Sequence, residues 1–283
     1  MFESLTNLFD LKKLGFFKEN RVVGIDIGSS SIKVVQVRKD KGKAILETYG
    51  EIQLGGYAGL FPGQSVNLPP EKIAEALNDL FKQANITTKQ AVLSVPLKSS
   101  LLTLIELPLV DEKKLQQMIE IEARKYIPVP MSEVVLDYSI IPKNDFSEGP
   151  DAMPKEESKP AQGGALADAA KKIENIEILV AAMHKSVLST YGEIINKAGL
   201  KVDTSLEIET FSAARAILGN DISASAIIDI GASATRLLIV DYGVMRTAHS
   251  IGKGSQDISL ALSKSLSLSF VQAEEAKKRL GAI

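Results

Sequence analysis

Two carboxylates, each set in an apolar run and followed at once by a glycine turn rich in hydroxyls, are the residues best placed here to do chemistry. Asp26 sits in Val23-Gly24-Ile25-Asp26-Ile27-Gly28 and is followed by Ser29-Ser30-Ser31-Ile32-Lys33. Asp229 sits in Ile227-Ile228-Asp229-Ile230-Gly231 and is followed by Ala232-Ser233-Ala234-Thr235-Arg236. The copies share Asp-Ile-Gly, a serine two residues after the glycine and a base three residues after that. A carboxylate in such a run is costly unless a metal, a base or hydrogen bonds compensate it. Gly28 and Gly231 let each turn present successive backbone N–H groups as an anion-binding nest, to which the hydroxyls add donors. An Asp beside a phosphate-sized nest points to Mg2+ held mostly through its waters, with phosphates completing the shell. An ordinary hairpin with a small-residue turn explains either copy alone; the matched pair implies two lobes closing on one polyphosphate.

Each motif reads as a β-hairpin, and the first strand, apolar on both faces, as part of a buried sheet. Strands are expected at Arg21 to Gly28, Ile32 to Val37 and Ala44 to Gln53, then a Gly- and Pro-rich loop. Pro70 opens a helix with Ile73, Leu77, Leu80, Phe81 and Ala84 on one face. A short strand, Ala91 to Val95, stops at Pro96. The pattern then changes: strand Leu101 to Leu107, a helix capped by Asp111 and broken by Pro128 and Pro130, and strand Val134 to Ile141. Lys143 to Asn175, rich in Pro, Gly, Ala and charge, reads as a flexible surface insertion. Beyond it come strand Ile176 to Met183, a helix capped by Ser186 and closed by Gly199, strand Lys201 to Glu207 and helix Thr210 to Leu218. The second hairpin follows, extended by Val244 to Ser250, and two helices end the sequence. At the start, Phe2, Leu5, Leu8, Phe9, Leu11 and Leu14 have helical spacing; this is a membrane-surface or partner-docking helix, a helix laid back on its own domain, or a frayed end.

Bulk properties exclude several classes. At 283 residues there is chain for about two domains. With 33 basic residues among 35 acidic ones and a net charge of −2, nothing favours nucleic acid. No cysteine is present, which removes disulfides, thiolate catalysis and cysteine-ligated zinc. No run approaches a membrane-spanning helix, and Glu3 and Asp10 break any secretory signal, so a soluble cytosolic protein is expected. There is no Walker-type loop or Rossmann fingerprint. His184 and His249 stand alone and read as structural.

Two Asp-Ile-Gly hairpins, each opening a three-stranded meander, with Ile251-Gly252-Lys253-Gly254-Ser255-Gln256-Asp257 after the second, resemble the phosphate-1 and phosphate-2 motifs of the actin, sugar-kinase and heat-shock ATPase superfamily. The stretch Gly24 to Lys33, the inserted segment from about Leu97 to Met183 and Ala198-Gly199-Leu200-Lys201-Val202-Asp203 resemble, more closely, the type IV pilus assembly protein PilM family, a relative of the cell-division protein FtsA. The resemblance implies an α/β, actin-like two-lobed ATPase fold, a duplicated ribonuclease-H-like architecture with an FtsA-type inserted subdomain. It divides the chain into an N-terminal helical segment (1–20), a first lobe (21–97), the insert (98–183, with loop 143–175), a return to the first lobe (184–220) and a second lobe (221–283). Relatives continue to a strand with paired glycines that packs on adenosine, so the second lobe is expected to be truncated at its C-terminus rather than to have lost the adenine site.

The resemblance also implies ATP with Mg2+ between the lobes. Asp26 and Asp229 would position the metal and its waters. Gly28, Ser29, Ser30 and Ser31 would hold one side of the phosphates with Lys33 as a charge partner, and Gly231, Ala232, Ser233 and Thr235 the other. Gly252 and Gly254 stand where a tandem glycine would approach the nucleotide. Glu209, at a strand-to-helix junction, is the candidate for positioning water; the alternative is a solvated helix-start carboxylate. The implied role is an ATP-binding cytoplasmic scaffold of pilus assembly, peripheral to the inner membrane, with hydrolysis weak or not essential. Its partners would be the N-terminal peptide of a PilN-like membrane protein and other pilus inner-membrane components, without nucleic acid. An FtsA-like filament ATPase and a sugar-kinase-type phosphotransferase are the alternatives.

Overall fold

Alternation in the opening strands decides which way the first sheet faces. In the computed structural model, which describes residues 20–141, 175–201 and 205–281, β1 (Arg21–Ile27), β2 (Ser31–Asp40) and β3 (Lys43–Gln53) form an antiparallel meander. Val23 and Ile25 of β1 are 0% and 2% exposed, and they face α1 (Pro70–Gln83) and α3 (Lys185–Lys197) across a shared apolar core. Pro70 at the first helical position costs α1 no hydrogen bond, and Ile73, Leu77 and Leu80 give the face that packs. β4 (Ala91–Val95) returns parallel to β1, and β8 (Ser205–Ile208) adds parallel to β4, giving the order β3-β2-β1-β4-β8. The expectation that β1 is covered on both faces is not met. Its other face, with Val22, Gly24 and Asp26, is only partly covered among the described residues. Asp26, Ser94 and the bidentate Arg215–Glu207 pair (2.7 Å for each bond) put polar groups on that side, which lines an open cavity of about 370 Å3.

The segment between β4 and α3 builds a sheet of its own. β5 (Ser100–Pro108), β6 (Val134–Ile141) and β7 (Asn175–His184) pair antiparallel in the order β5-β7-β6, with α2 (Glu112–Ala123) on one face. Asp111 caps α2 by accepting from the Lys114 amide at 3.1 Å, as the sequence predicts. Ile105, Leu107, Leu115, Ile119, Ile178 and Val180 fill the interface. The cap of α3 differs from expectation: β7 runs one residue further, so His184, not Ser186, takes the capping position and accepts from the Ser186 amide through Nδ1. Gly199 closes α3 with a φ of +66°, as expected of a left-handed terminus.

α4 (Glu209–Leu218) leads from β8 into the third sheet, β9 (Ser225–Ile230), β10 (Thr235–Asp241) and β11 (Val244–Ile251), in the order β11-β10-β9. Phe211, Ala214 and Leu218 of α4 pack against Ile227, Leu238, Val240 and Met245, so the helix is the wedge that seats this sheet. Arg246 pairs with Glu177 of β7 at 2.7 Å, fastening β11 to the middle sheet. Two helices follow, α5 (Ser255–Leu266) and α6 (Phe270–Leu280). The helical reading of the first residues and most of the 143–175 insertion lie outside the described residues.

Candidate functional site

The two glycine turns close in the same way. The Gly28 amide donates to the Ser31 carbonyl at 3.0 Å, and the Gly231 amide to the Ala234 carbonyl at 2.9 Å. Each turn is then held from behind through its carbonyls. Ser30 and Ser29 accept from the amides of Leu54 and Val66, both at 2.8 Å; Gly231 and Ala232 accept from Ser255 and Gln256, the first residues of α5, at 2.9 and 3.0 Å. The amides of Ser29, Ser30, Ala232 and Ser233 make no backbone hydrogen bond among the described residues, which leaves them available to an anion. Glycine is obligatory at 254, where a Cβ would lie 2.5 Å from the Ala232 carbonyl oxygen and 2.6 Å from that of Gly231.

Between the turns lies a cavity of about 180 Å3 lined by Gly28, Ser29, Ser233 and Ala234, with Glu209 and Arg236 on its wall. That volume is below the roughly 300 Å3 at which small-molecule pockets begin. It suits the phosphate end of a ligand, not a whole nucleotide.

The carboxylates meet through one arginine. Arg236 donates from Nη1 to Asp229 Oδ2 at 2.9 Å and from Nε to Glu209 Oε1 at 2.5 Å, while the Leu97 amide donates to the same Glu209 oxygen at 2.7 Å. Asp26 Oδ1 accepts from Ser94 Oγ at 2.6 Å. Burial pushes the Glu209 carboxyl above its ordinary range; the Leu97 amide and Arg236 pull against this, and the Asp26 charge adds to it. The Tyr191 phenol of α3 is likewise raised, by burial first and then by the charges of Glu209 and Asp26. Asp26, Glu209 and Tyr191 therefore share one electrostatic neighbourhood, and Arg236 joins Asp229 to it. Among the described residues no three His, Cys, Asp or Glu side chains gather to hold a metal by themselves. The donors present fit a hydrated Mg2+ whose shell is completed by phosphate.

Residues 24–154 match the family model of the type IV pilus assembly protein PilM. Over those residues, just under half of its length, the chain is similar to that family. It superposes on the solved PilM-PilN type IV pilus biogenesis complex with a TM-score of 0.67 and 22% identity, covering 91% of this chain and 69% of that one. It is 23% identical over 279 residues to the cell division protein FtsA of Staphylococcus epidermidis RP62A, covering 93% of this chain and 55% of the relative. To FtsA of Bacillus subtilis 168 it is 26% identical over 162 residues, 56% of this chain and 34% of the relative. The chain spans at most about half the length of these FtsA relatives. The fold is the actin-like, two-lobed α/β architecture with an FtsA-type inserted subdomain.

The residues singled out from sequence divide into three groups. Gly28, Ser29 and Ser233 line the cavity, and Ser30, Gly231 and Ala232 complete the turns around it. Thr235 and Gly254 support the second turn from outside: Thr235 Oγ1 donates to the Lys253 carbonyl at 2.8 Å, and Gly254 packs on Gly231 and Ala232. Ser31 and Lys33 are occupied with each other, Lys33 Nζ donating to Ser31 Oγ at 3.0 Å, while a Cβ on Gly252 would meet open space. Asp229 is 45% exposed, so it is not the buried carboxylate expected. β9 is an edge strand, whereas β1 lies inside its sheet. Arg236 was the residue to add. It opposes Asp229 across β9 and β10 as Lys33 opposes Asp26 across β1 and β2, so the shared base in the motif was the available signal.

Proposed function

We propose that the chain is an ATP-binding, actin-like scaffold of type IV pilus assembly, working on the cytoplasmic side of the inner membrane and docking the N-terminal tail of a PilN-like membrane protein. The observation that carries this reading is the pair of equivalently closed glycine turns facing one phosphate-sized cavity. The free amides of both turns and the hydroxyls of Ser29 and Ser233 would bind the phosphates, and Asp26 and Asp229 would accept from metal-bound waters. Mg2+, when bound, supplies neutralisation of phosphate charge. Glu209 has the burial and raised pKa of a residue that can orient or accept a proton from water, but Arg236 and the Leu97 amide already occupy it. Slow hydrolysis follows. The similarity to PilM, whose solved complex contains PilN, supports the partner, and no described helix is long and apolar enough to cross a membrane.

Isothermal titration of Mg·ATP into the wild type and Asp26→Ala tests this, with a PilN-like N-terminal peptide titrated into each. Loss of an outer-shell group typically weakens metal-dependent binding about 10–100-fold, and a loss of that size is expected. Equal ATP affinity in both proteins removes the metal role, and absence of peptide binding in every nucleotide state removes the scaffold. Nucleotide-dependent pelleting would instead favour the FtsA-like filament reading.

A further inference from the structure

Among the described residues, Arg236 is the one side chain that bonds both to the strand-helix junction after β8 and to the second hairpin. Its Nε and Nη1 point to different carboxylates, Glu209 and Asp229, and it is 18% exposed against 15% for Glu209. A planar guanidinium can make such a bridge because its donors are fixed in a fork; an ammonium cannot hold the same two directions. We propose that Arg236 is a latch between the lobes, engaged in the nucleotide-free protein, and that it competes with Mg2+ as the counter-ion of Asp229. The second half of this rests on the nucleotide reading given above; the first half does not.

The charges set up the competition. Glu209 lines the cavity between the turns, the charge of Asp26 already pushes its carboxyl up, and Asp229 shares Arg236 with it, so without a cation beside them these carboxylates repel. Arg236 supplies that cation when no metal is present. A divalent ion whose waters reach Asp229 supplies more charge at the same carboxylate, and phosphate oxygens compete with Glu209 for the guanidinium, so Arg236 leaves both carboxylates and turns to the phosphates; the bond it gives up to Glu209 is the one that joins the lobes. Three further contacts join the outer regions. The Ser65 amide donates to Gln256 Oε1, and Gly63 lies against the Glu274 side chain, so the loop before α1 touches α5 and α6. Arg246 and Glu177 tie β11 to β7. These lie at the loop and at the middle sheet, so releasing Arg236 allows a change of angle about them without separating the parts. Metal binding is thereby coupled to lobe angle through its different affinity for the latched and released states.

The sequence contains no cysteine, which makes paired labelling clean. In the full chain, Lys82→Cys on α1 and Lys264→Cys on α5, both exposed, carry spin labels for pulsed distance measurement. Nucleotide-free protein with Arg236 intact should give a narrow distribution. Arg236→Met should broaden or lengthen it, and Asp229→Asn, which keeps the Glu209 pair, should do so less. Folding of each variant is checked by circular dichroism. Coincident distributions for folded wild type and Arg236→Met overturn the latch.

The counter-ion arm compares ATP affinity with Mg2+ and with EDTA. Removing the competitor should raise the ratio of the two affinities about tenfold in Arg236→Met, within the usual range of coupling between sites. An unchanged ratio overturns the competition. If the wild type binds no ATP under either condition, the nucleotide reading fails and the distances alone judge the latch.

Discussion

The two Asp-Ile-Gly hairpins are locally the same object placed in different company. β1 is flanked by β2 and β4 and has α1 and α3 against one face; among the described residues β9 is paired only with β10 and lies at the edge of its sheet. Val23 and Ile25 are accordingly buried, while Ile228 and Ile230 of the second copy are 65% and 61% exposed. The turns nevertheless close with the same hydrogen bond in both copies. Turn geometry is therefore written in five or six residues, whereas the burial of the carboxylate beside it is written by what packs on the strand. Lys33 and Arg236 repeat the lesson, because they hold equivalent registers yet the first bonds Ser31 and the second bonds Asp229.

The largest expected difference is in how the two halves fail. Leu93 is fully buried in the core under the first sheet, and Leu238 is 1% exposed in the small cluster against α4. Truncating either to Ala should cost about 2–5 kcal/mol locally. For Leu93→Ala that loss should lower global stability, because the whole five-stranded sheet shares the core. For Leu238→Ala it should appear as faster hydrogen exchange in β9, β10 and β11 with β1, β2 and β4 unchanged. Equal exchange throughout in Leu238→Ala would mean that the halves open together and the contrast is wrong.

Next in size is a pH contrast between two glutamates. Burial raises Glu209, so the fold favours its protonated form: its contribution is fully present below its unfolded pKa and is lost as pH rises through its folded value. In Glu274 burial acts the same way, but Lys277, Ser259 and Lys278 outweigh it and hold the carboxyl low. Its contribution is present above its unfolded pKa and is lost as pH falls through the folded one. Thermal melts of Glu209→Gln should lose the decline on the rising side. Melts of Glu274→Gln should differ from wild type most near neutrality and converge with it in acid. The opposite pattern in either variant refutes the assigned direction.

Much of the fold was readable because it is local. The strands at Ala91–Val95 and Val134–Ile141 and the cap at Asp111 are set by alternation, proline stops and short-range hydrogen bonds, and they lie where those rules put them. The cap of α3 was not, since serine is the better capping residue but β7 extends to His184, and strand pairing with β6 decides the boundary. At the candidate site the glycine and serine turns were legible for the same local reason. Arg236 was not assigned a role because its second partner, Glu209, is brought to it only when α4 wedges the third sheet against the first. The exposure of Asp229 was missed because edge or centre is a property of strand order, and no periodicity within β9 records it.

The smallest effect sharpens the contrast at the ends of α5 and α6. A serine caps α6: Ser269 Oγ accepts from the Gln272 amide at 3.3 Å, and the Gln272 side chain returns to the Ser269 amide at 2.9 Å. α5 begins at Gly254, which has no side chain to offer because any Cβ would strike the second turn. Asp257 compensates by reaching back to the Gly254 amide at 2.9 Å, with Lys253 bonded to its other oxygen at 2.7 Å. The better cap is thus surrendered where the turn must be approached and kept where nothing is approached. Ser269→Ala should therefore cost only about 1 kcal/mol, the usual loss of an N-cap, and leave ATP affinity unchanged. Gly254→Ala replaces one poor cap by another, so cap energetics alone predict little change in affinity. The close approach to Gly231 and Ala232 predicts that it displaces the turn and weakens ATP binding, and calorimetry on the two variants side by side decides between these accounts.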